Sequence, residues 1–110
     1  MITLSDLVQD RREIVVSLKN GMELSITYRP GAYTAAVEDE VLKALNQNRV
    51  LNALVTRLSS ILVEWDLVDE KGKVLPIPST LKQLPGEALV AIMEAIIKDN
   101  GATDKETRKN

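Results

Sequence analysis

The sequence predicts an α+β fold, mostly helical, in which an N-terminal β-hairpin at about residues 13–28 packs on a bundle of three to four helices. Three observations support this prediction. Asn20-Gly21 lies between two β-prone runs, which is the strongest short-range signal for a hairpin. Apolar residues recur at helical spacing over about residues 34–48 and 49–65. An Ala/Leu/Ile-rich stretch at about residues 85–98 follows a proline-containing segment.

The composition indicates one domain without histidine or cysteine chemistry. The 110 residues include no Cys and no His, which excludes thiol or Ser–His nucleophiles within this chain and the usual zinc sites. Size predicts a single domain over residues 1–100, and the charged residues 101–110 are expected to form a disordered tail. We expect no cofactor and no metal.

Charge and hydropathy narrow the class of partner. The formal net charge is −2 and no basic stripe is visible, so the sequence argues against nucleic-acid binding. The N-terminus lacks the apolar core of a signal peptide, and no apolar run is long enough to span a bilayer. These features predict a soluble protein of a reducing cytoplasm.

The hairpin has one apolar face. Its arms are Glu13–Lys19 and Met22–Tyr28, and apolar residues alternate with polar ones in the second arm. The alternating apolar positions are Met22, Leu24, Ile26 and Tyr28. An isolated hairpin is only marginally stable in water, so we expect this face to pack on helices or on another chain.

Two helical segments follow the hairpin. Thr34 is the expected N-cap of a helix that reaches about Asn48, with acidic residues near its positive end. A second apolar stripe ends at Trp65 and is offset from the first by roughly a third of a turn. The sequence therefore predicts two helices, or one helix kinked near Asn46–Asn48.

The segment after Trp65 is expected to orient the last helix. An acidic turn with short extended arms precedes Pro76, and Thr80 with Gln83 predicts a capping box at the start of a short helix over about 80–84. Pro85 suits the first position of the last helix, and Asn100-Gly101 predicts its end. We interpret four residues as a structural hub: Trp65, Leu62, Tyr28 and Pro76.

Two acidic clusters have structural explanations. Asp66, Asp69 and Glu70 lack the register of a calcium-binding loop, so we interpret them as a solvated turn. The acidic run 38–40 lies where a helix N-terminus favours negative charge. Neither cluster predicts a catalytic residue.

The last helix is apolar around most of its circumference, which leaves two interpretations open. It is the central helix of the domain's own core, or part of its surface receives another chain. Trp65 likewise either seals the core or anchors an interface. The candidate partner-binding residues are Ala88, Ala91, Met93, Ala95, Ile96 and Ile97.

Three segments in series resemble the tail assembly chaperones of tailed phages, of the siphophage type. Residues 63–76, VEWDLVDEKGKVLP, are similar to a WDL-D-(D/E)-x-G-x-x-x-P segment of that family. Residues 24–34, LSITYRPGAYT, resemble its hairpin arm and the entry to its first helix. Leu84-Pro85 and the apolar helix after it resemble its closing element.

The resemblance implies a non-catalytic protein that binds the tape measure protein and helps bring tail tube subunits to it. It implies a host-cytoplasmic protein that is absent from the mature virion, and this chain looks like the short product where a frameshifted longer form also exists. The family offers no catalytic residue to transfer. Self-association as a homo-oligomer is left open.

Two other function classes are weighed against this one. The first is a small DNA-binding or regulatory interaction protein of a phage or prophage, which the net acidity disfavours. The second is an enzyme that uses carboxylate or lysine chemistry, for which the sequence offers no pocket signature.

Overall fold

The computed structural model describes residues 3, 11–46 and 51–109, with side chains up to Asn100. Its architecture is α+β and mostly helical, as predicted. The strands and helices are β1 (Arg12–Ser17), β2 (Glu23–Tyr28), α1 (Ala35–Asn46), α2 (Leu51–Ile61), β3 (Leu62–Trp65), α3 (Ile77–Leu81) and α4 (Gly86–Lys109).

The predicted hairpin is confirmed, with slightly shorter strands. Asn20 and Gly21 have φ of 61° and 73°, and the Met22 N–H donates to the Lys19 carbonyl at 3.2 Å. Both residues therefore adopt the positive φ for which Asn-Gly is favoured. Met22 lies in the turn and is 55% exposed, whereas Leu24 and the other two predicted inward residues of β2 are buried.

The second predicted helix is wrong at its C-terminal end. It ends at Ile61, and Leu62–Trp65 forms a third strand, antiparallel to β2. Trp65 pairs with Ile26 and Leu62 with Tyr28, with a bulge between these pairs. The extra residue of a bulge lets residues three apart share one face of a strand. That spacing is also helical, so the apolar pattern alone did not distinguish the two structures.

The core lies between one face of the sheet and the helices. Strand order is β1-β2-β3, and the inward positions of the three strands meet residues of α1, α2, α3 and α4. The largest fully buried side chains are Tyr28, Ile26, Leu54, Leu58, Ile61, Leu81, Ile92, Met93, Ile96, Val16 and Val41. These mainly aliphatic side chains belong to one hydrophobic cluster of the described residues.

The N-cap of α1 is confirmed. The Val37 N–H donates to Thr34 Oγ1 at 3.3 Å, which satisfies one of the free N–H groups of the first turn. The predicted choice between two helices and one kinked helix falls on residues 47–50, which lie outside the described residues.

The short helix begins earlier than predicted. It covers Ile77–Leu81 with Pro76 as its N-cap, and Thr80 lies inside it with its N–H bonded to the Pro76 carbonyl at 3.2 Å. The predicted capping box is therefore wrong. Pro78 fits the first turn because N–H groups there need no intrahelical partner, so the prolines start this helix rather than precede it.

The last helix is longer than predicted. It continues past Asn100 to Lys109, so the predicted end at Asn100-Gly101 is wrong. The Asn100 side-chain amide donates to the Ile96 carbonyl at 2.8 Å, which lets this residue remain within the helix. The division into a domain of residues 1–100 and a disordered tail stays a prediction, since only the backbone of 101–109 is described.

Candidate functional site

The β1 edge of the sheet is held by α4. Lys19 Nζ lies 2.6 Å from Glu87 Oε2, and Arg12 Nε lies 3.2 Å from Asp99 Oδ2. Arg12 begins β1 and Lys19 follows the end of that strand. Glu87 lies in the first turn of α4, and Asp99 lies several turns later. The two ion pairs therefore orient the helix antiparallel to β1.

Tyr28 strengthens this attachment from inside the core. Its side chain is fully buried, and its hydroxyl donates to the Asp99 carboxylate and accepts from Asn100 Nδ2 at 3.0 Å. Burial, and then the hydrogen bond to Asp99, raise the pKa of Tyr28 above its ordinary value. The phenol is therefore neutral at physiological pH and acts as a structural donor.

The second tyrosine of the chain is also buried. The Tyr33 hydroxyl makes no hydrogen bond within the described residues. Burial raises the pKa of Tyr33, and the nearby charge of Glu38 adds to this effect. Tyr33 belongs to the hydrophobic core, and its burial assigns it no chemical role.

An open groove runs beside β3, on the other edge of the sheet. Its volume is about 410 Å³, and its lining is apolar except for Ser59 and Glu64. The groove is lined by Ser59, Leu62, Val63, Glu64, Trp65, Val74, Leu75, Pro76, Ile77 and Pro78. We call this feature the edge groove. Trp65 connects its two sides, since Trp65 Nε1 donates to the Leu75 carbonyl at 2.8 Å.

A small hairpin over residues 67–75 supports the outer side of the edge groove. The Leu75 N–H donates to the Leu67 carbonyl at 2.9 Å, and Val68 forms an isolated bridge with Val74. Val68 is 45% exposed and Val74 is 58% exposed. The predicted turn with extended arms is therefore present, and it carries apolar side chains into solvent.

The acidic residues of this turn serve its backbone. The Asp69 carboxylate accepts the N–H groups of Lys71 and Lys73 at 2.8 and 3.0 Å. The Asp66 carboxylate accepts the Ser25 N–H at 2.9 Å, which ties the turn to β2. Over the part of the chain that the structure describes, no group of three or more acidic side chains is placed to hold a metal ion.

The face of the sheet opposite the helices is acidic. By strand alternation it presents Glu13, Glu23 and Glu64, all exposed. Its seven strand positions carry no lysine or arginine, and the exposed Arg11 and Arg29 follow on the same side, one residue beyond the strand ends. The ion pairs among the described residues use other carboxylates. The seven positions, which we call the open face, are Glu13, Val15, Ser17, Glu23, Ser25, Thr27 and Glu64.

The candidate partner-binding residues of α4 are divided between core and surface. Met93 and Ile96 are fully buried, so they present no surface to a partner in this fold. Ala88, Ala91, Ala95 and Ile97 are partly buried. This distribution favours the interpretation of α4 as the central helix, and partner binding by the partly buried residues stays a prediction.

The predicted hub residues occupy two environments. Trp65, Leu62 and Tyr28 lie in the core, whereas Pro76 is exposed, caps α3 and lines the edge groove. Sequence reasoning missed the groove. Its available signals were the short β-prone run at Leu62–Trp65 and the two prolines that follow the acidic turn.

Comparisons with protein-family models, with curated protein sequences and with solved structures give no match to this chain. Within the described residues, no helix combines the length and the apolar character needed to cross a membrane.

Proposed function

We propose that this chain is a non-catalytic phage tail assembly chaperone that binds the tape measure protein and assists tail tube assembly. It acts in the host cell cytoplasm and is absent from the mature virion. Support comes from the three resembling segments, which run through most of the chain in the same order as in the chaperones.

One observation carries the proposal. Residues 63–76, which hold the longest stretch of resemblance, supply most of the lining of the edge groove and the exposed small hairpin beside it. Exposed apolar surface of this kind is typical of a protein-interaction site. A chaperone for an aggregation-prone apolar client needs such a surface and needs no cofactor.

The experiment is co-expression with the tape measure protein of the phage whose genome encodes this chain. We expect the native chain to keep the tape measure protein in the soluble fraction and to co-purify with it. Val74→Glu places a charge at the rim of the edge groove and is expected to abolish both effects.

Met22→Glu is the matched control. Met22 is 55% exposed and Val74 58%, but Met22 lies in the turn between β1 and β2, outside the edge groove and the open face. The control is expected to behave as the native chain does. Equal tape measure solubility with and without this chain would refute the proposal, and salt-dependent retention of the chain on duplex DNA would favour the regulatory alternative instead.

A further inference from the structure

We propose that the edge groove binds an extended segment of alternating apolar and basic residues, which joins the sheet beside β3 as a fourth strand. This inference names the chemistry of the client segment and in that sense rests on the proposed function.

The first argument is the unpaired outer side of β3. The Asp66 N–H donates to the Ser25 carbonyl at 3.1 Å and the Ser25 N–H donates to the Asp66 carboxylate at 2.9 Å, so Asp66 directs its backbone N–H towards β2. Hydrogen-bonded and non-bonded pairs alternate in an antiparallel ladder. Trp65, the preceding residue, therefore directs its backbone N–H and C=O away from β2 and towards the groove.

The opposite side of the groove cannot complete this ladder. It contains Pro76 and Pro78, which have no backbone N–H to donate. Among the described residues, no backbone hydrogen bond joins residues 74–78 to β3. An unpaired strand edge is a template for another strand, so the backbone of β3 favours an extended occupant.

The shape of the groove favours the same occupant. Its volume of about 410 Å³ lies in the range of ligand clefts, about 300–1,000 Å³. An added strand would direct alternate side chains inward, towards Trp65, Leu75 and Ile77. A helix is about 10 Å wide and satisfies its own backbone, so it would leave the Trp65 backbone groups unpaired.

Charge complementarity predicts that the outward-facing side chains of the occupant are basic. The outward residues of a fourth strand would continue the open face beside Glu64. Cross-strand neighbours lie about 5 Å apart, within reach of a lysine or arginine side chain. The open face adds Glu13 and Glu23, and no described ion pair neutralises these three glutamates.

Trp65 provides a direct measurement, since it is the only tryptophan and it lines the groove. The full chain is titrated with a capped peptide of about seven alternating lysines and valines, and binding is followed by Trp65 emission and by calorimetry. We expect saturable binding that weakens as salt is added. A peptide of alternating glutamates and valines is expected to bind at least about tenfold more weakly.

Two N-methylated peptides test strand addition itself. One carries N-methyl groups on the lysines and the other on the valines, so each blocks the N–H groups of one side of the strand. Only one side of an added strand faces β3, so one peptide is expected to lose binding and the other to keep it. Equal binding of the two would refute strand addition.

A pair of charge reversals tests the position. Glu64→Lys is expected to weaken binding of the Lys/Val peptide at least about fivefold, whereas Glu94→Lys, at an exposed position of α4, is expected to leave it unchanged. Equal effects of the two variants would refute the site. If Trp65 emission changed with protein concentration alone and sedimentation showed a dimer, the occupant would be a second copy and the inference would be wrong.

The peptide assay contains no tape measure protein. Failure of every peptide, with tape measure solubility still dependent on Val74, would overturn the inference and leave the proposed function standing. If the alternating peptide bound but this chain had no effect on the solubility of the tape measure protein, the inference would stand and the proposed function would be overturned.

Discussion

The two edge strands of the sheet, β1 and β3, lie beside different structures. Along β1, helix α4 is attached by two ion pairs, and Asp99 and Asn100 bond the buried Tyr28 hydroxyl. Along β3, the facing segment carries two prolines, and an open groove remains. Edge strands invite pairing with other chains unless they are covered, and an apolar groove beside such an edge is described only at β3.

The difference lies in hydrogen-bonding capacity rather than in hydrophobicity. Helix α4 bonds Arg12 and Lys19 at the two ends of β1 and the Tyr28 hydroxyl of the central strand, whereas Pro76 and Pro78 bring no N–H donor to β3. The two edges of the sheet therefore differ in the polar groups that lie beside them.

The largest expected effect comes from breaking the β1 edge. Asp99→Ala leaves the buried Tyr28 hydroxyl without its acceptor and removes the partner of Arg12, so the free energy of unfolding should fall by about 2 kcal/mol. The matched truncation at the β3 edge, Glu64→Ala, is expected to change it by less than about 0.5 kcal/mol. Urea denaturation measures both, and equal losses would contradict the comparison.

A smaller effect is expected from loosening the β3 edge. Gly72 has φ of +82°, and a Cβ there would meet no atom within 4 Å, so Gly72→Ala should cost about 1 kcal/mol through backbone strain alone. Hydrogen exchange at the Leu75 amide should accelerate while the β1–β2 amides are unaffected. Gly72→Asn is the control, because asparagine tolerates this conformation, and an equal effect of the two variants would argue against strain.

The smallest expected effect at neutral pH is that of the titration of the Tyr28 phenol on the free energy of unfolding. The pKa of Tyr28 is raised in the folded state, first by burial and then by Asp99, so above about pH 10 the unfolded chain loses the phenolic proton first. This contribution to stability is complete below pH 10 and is lost as pH rises, by up to about 1.4 kcal/mol per pH unit. Urea denaturation of Tyr28→Phe between about pH 8 and 11 should show a shallower decline than the native chain, and parallel declines would contradict the assignment.

Features set by neighbouring residues could be predicted from the sequence. The Asn20-Gly21 turn and the Thr34 cap depend on the conformations and hydrogen bonds of a few adjacent residues, and both are confirmed. The fold class followed from these signals and from helical apolar spacing. The second apolar stripe was predicted for the same reason, and α2 buries Leu54, Val55, Leu58 and Ile61.

Features that depend on distant residues could not be predicted. Leu62 and Trp65 retain helical spacing, and only pairing with β2 and the bulge make them a strand. The bond between Tyr28 and Asp99 joins residues 71 positions apart. The edge groove likewise needs β3 and residues 74–78 to be placed together, and the local signals of each segment, a β-prone run and two prolines, do not specify that placement.

The order of the strands along the chain also has a consequence for when the binding surface exists. The β1–β2 pairing is local, but β3 reaches β2 only after α1 and α2 have been made, and closing such a long loop carries an entropic cost. Every N-terminal fragment that stops before Leu62 lacks both β3 and the groove. The capacity to take a fourth strand therefore requires a chain that extends at least to Pro78, and a nascent chain lacks it until that residue has been made.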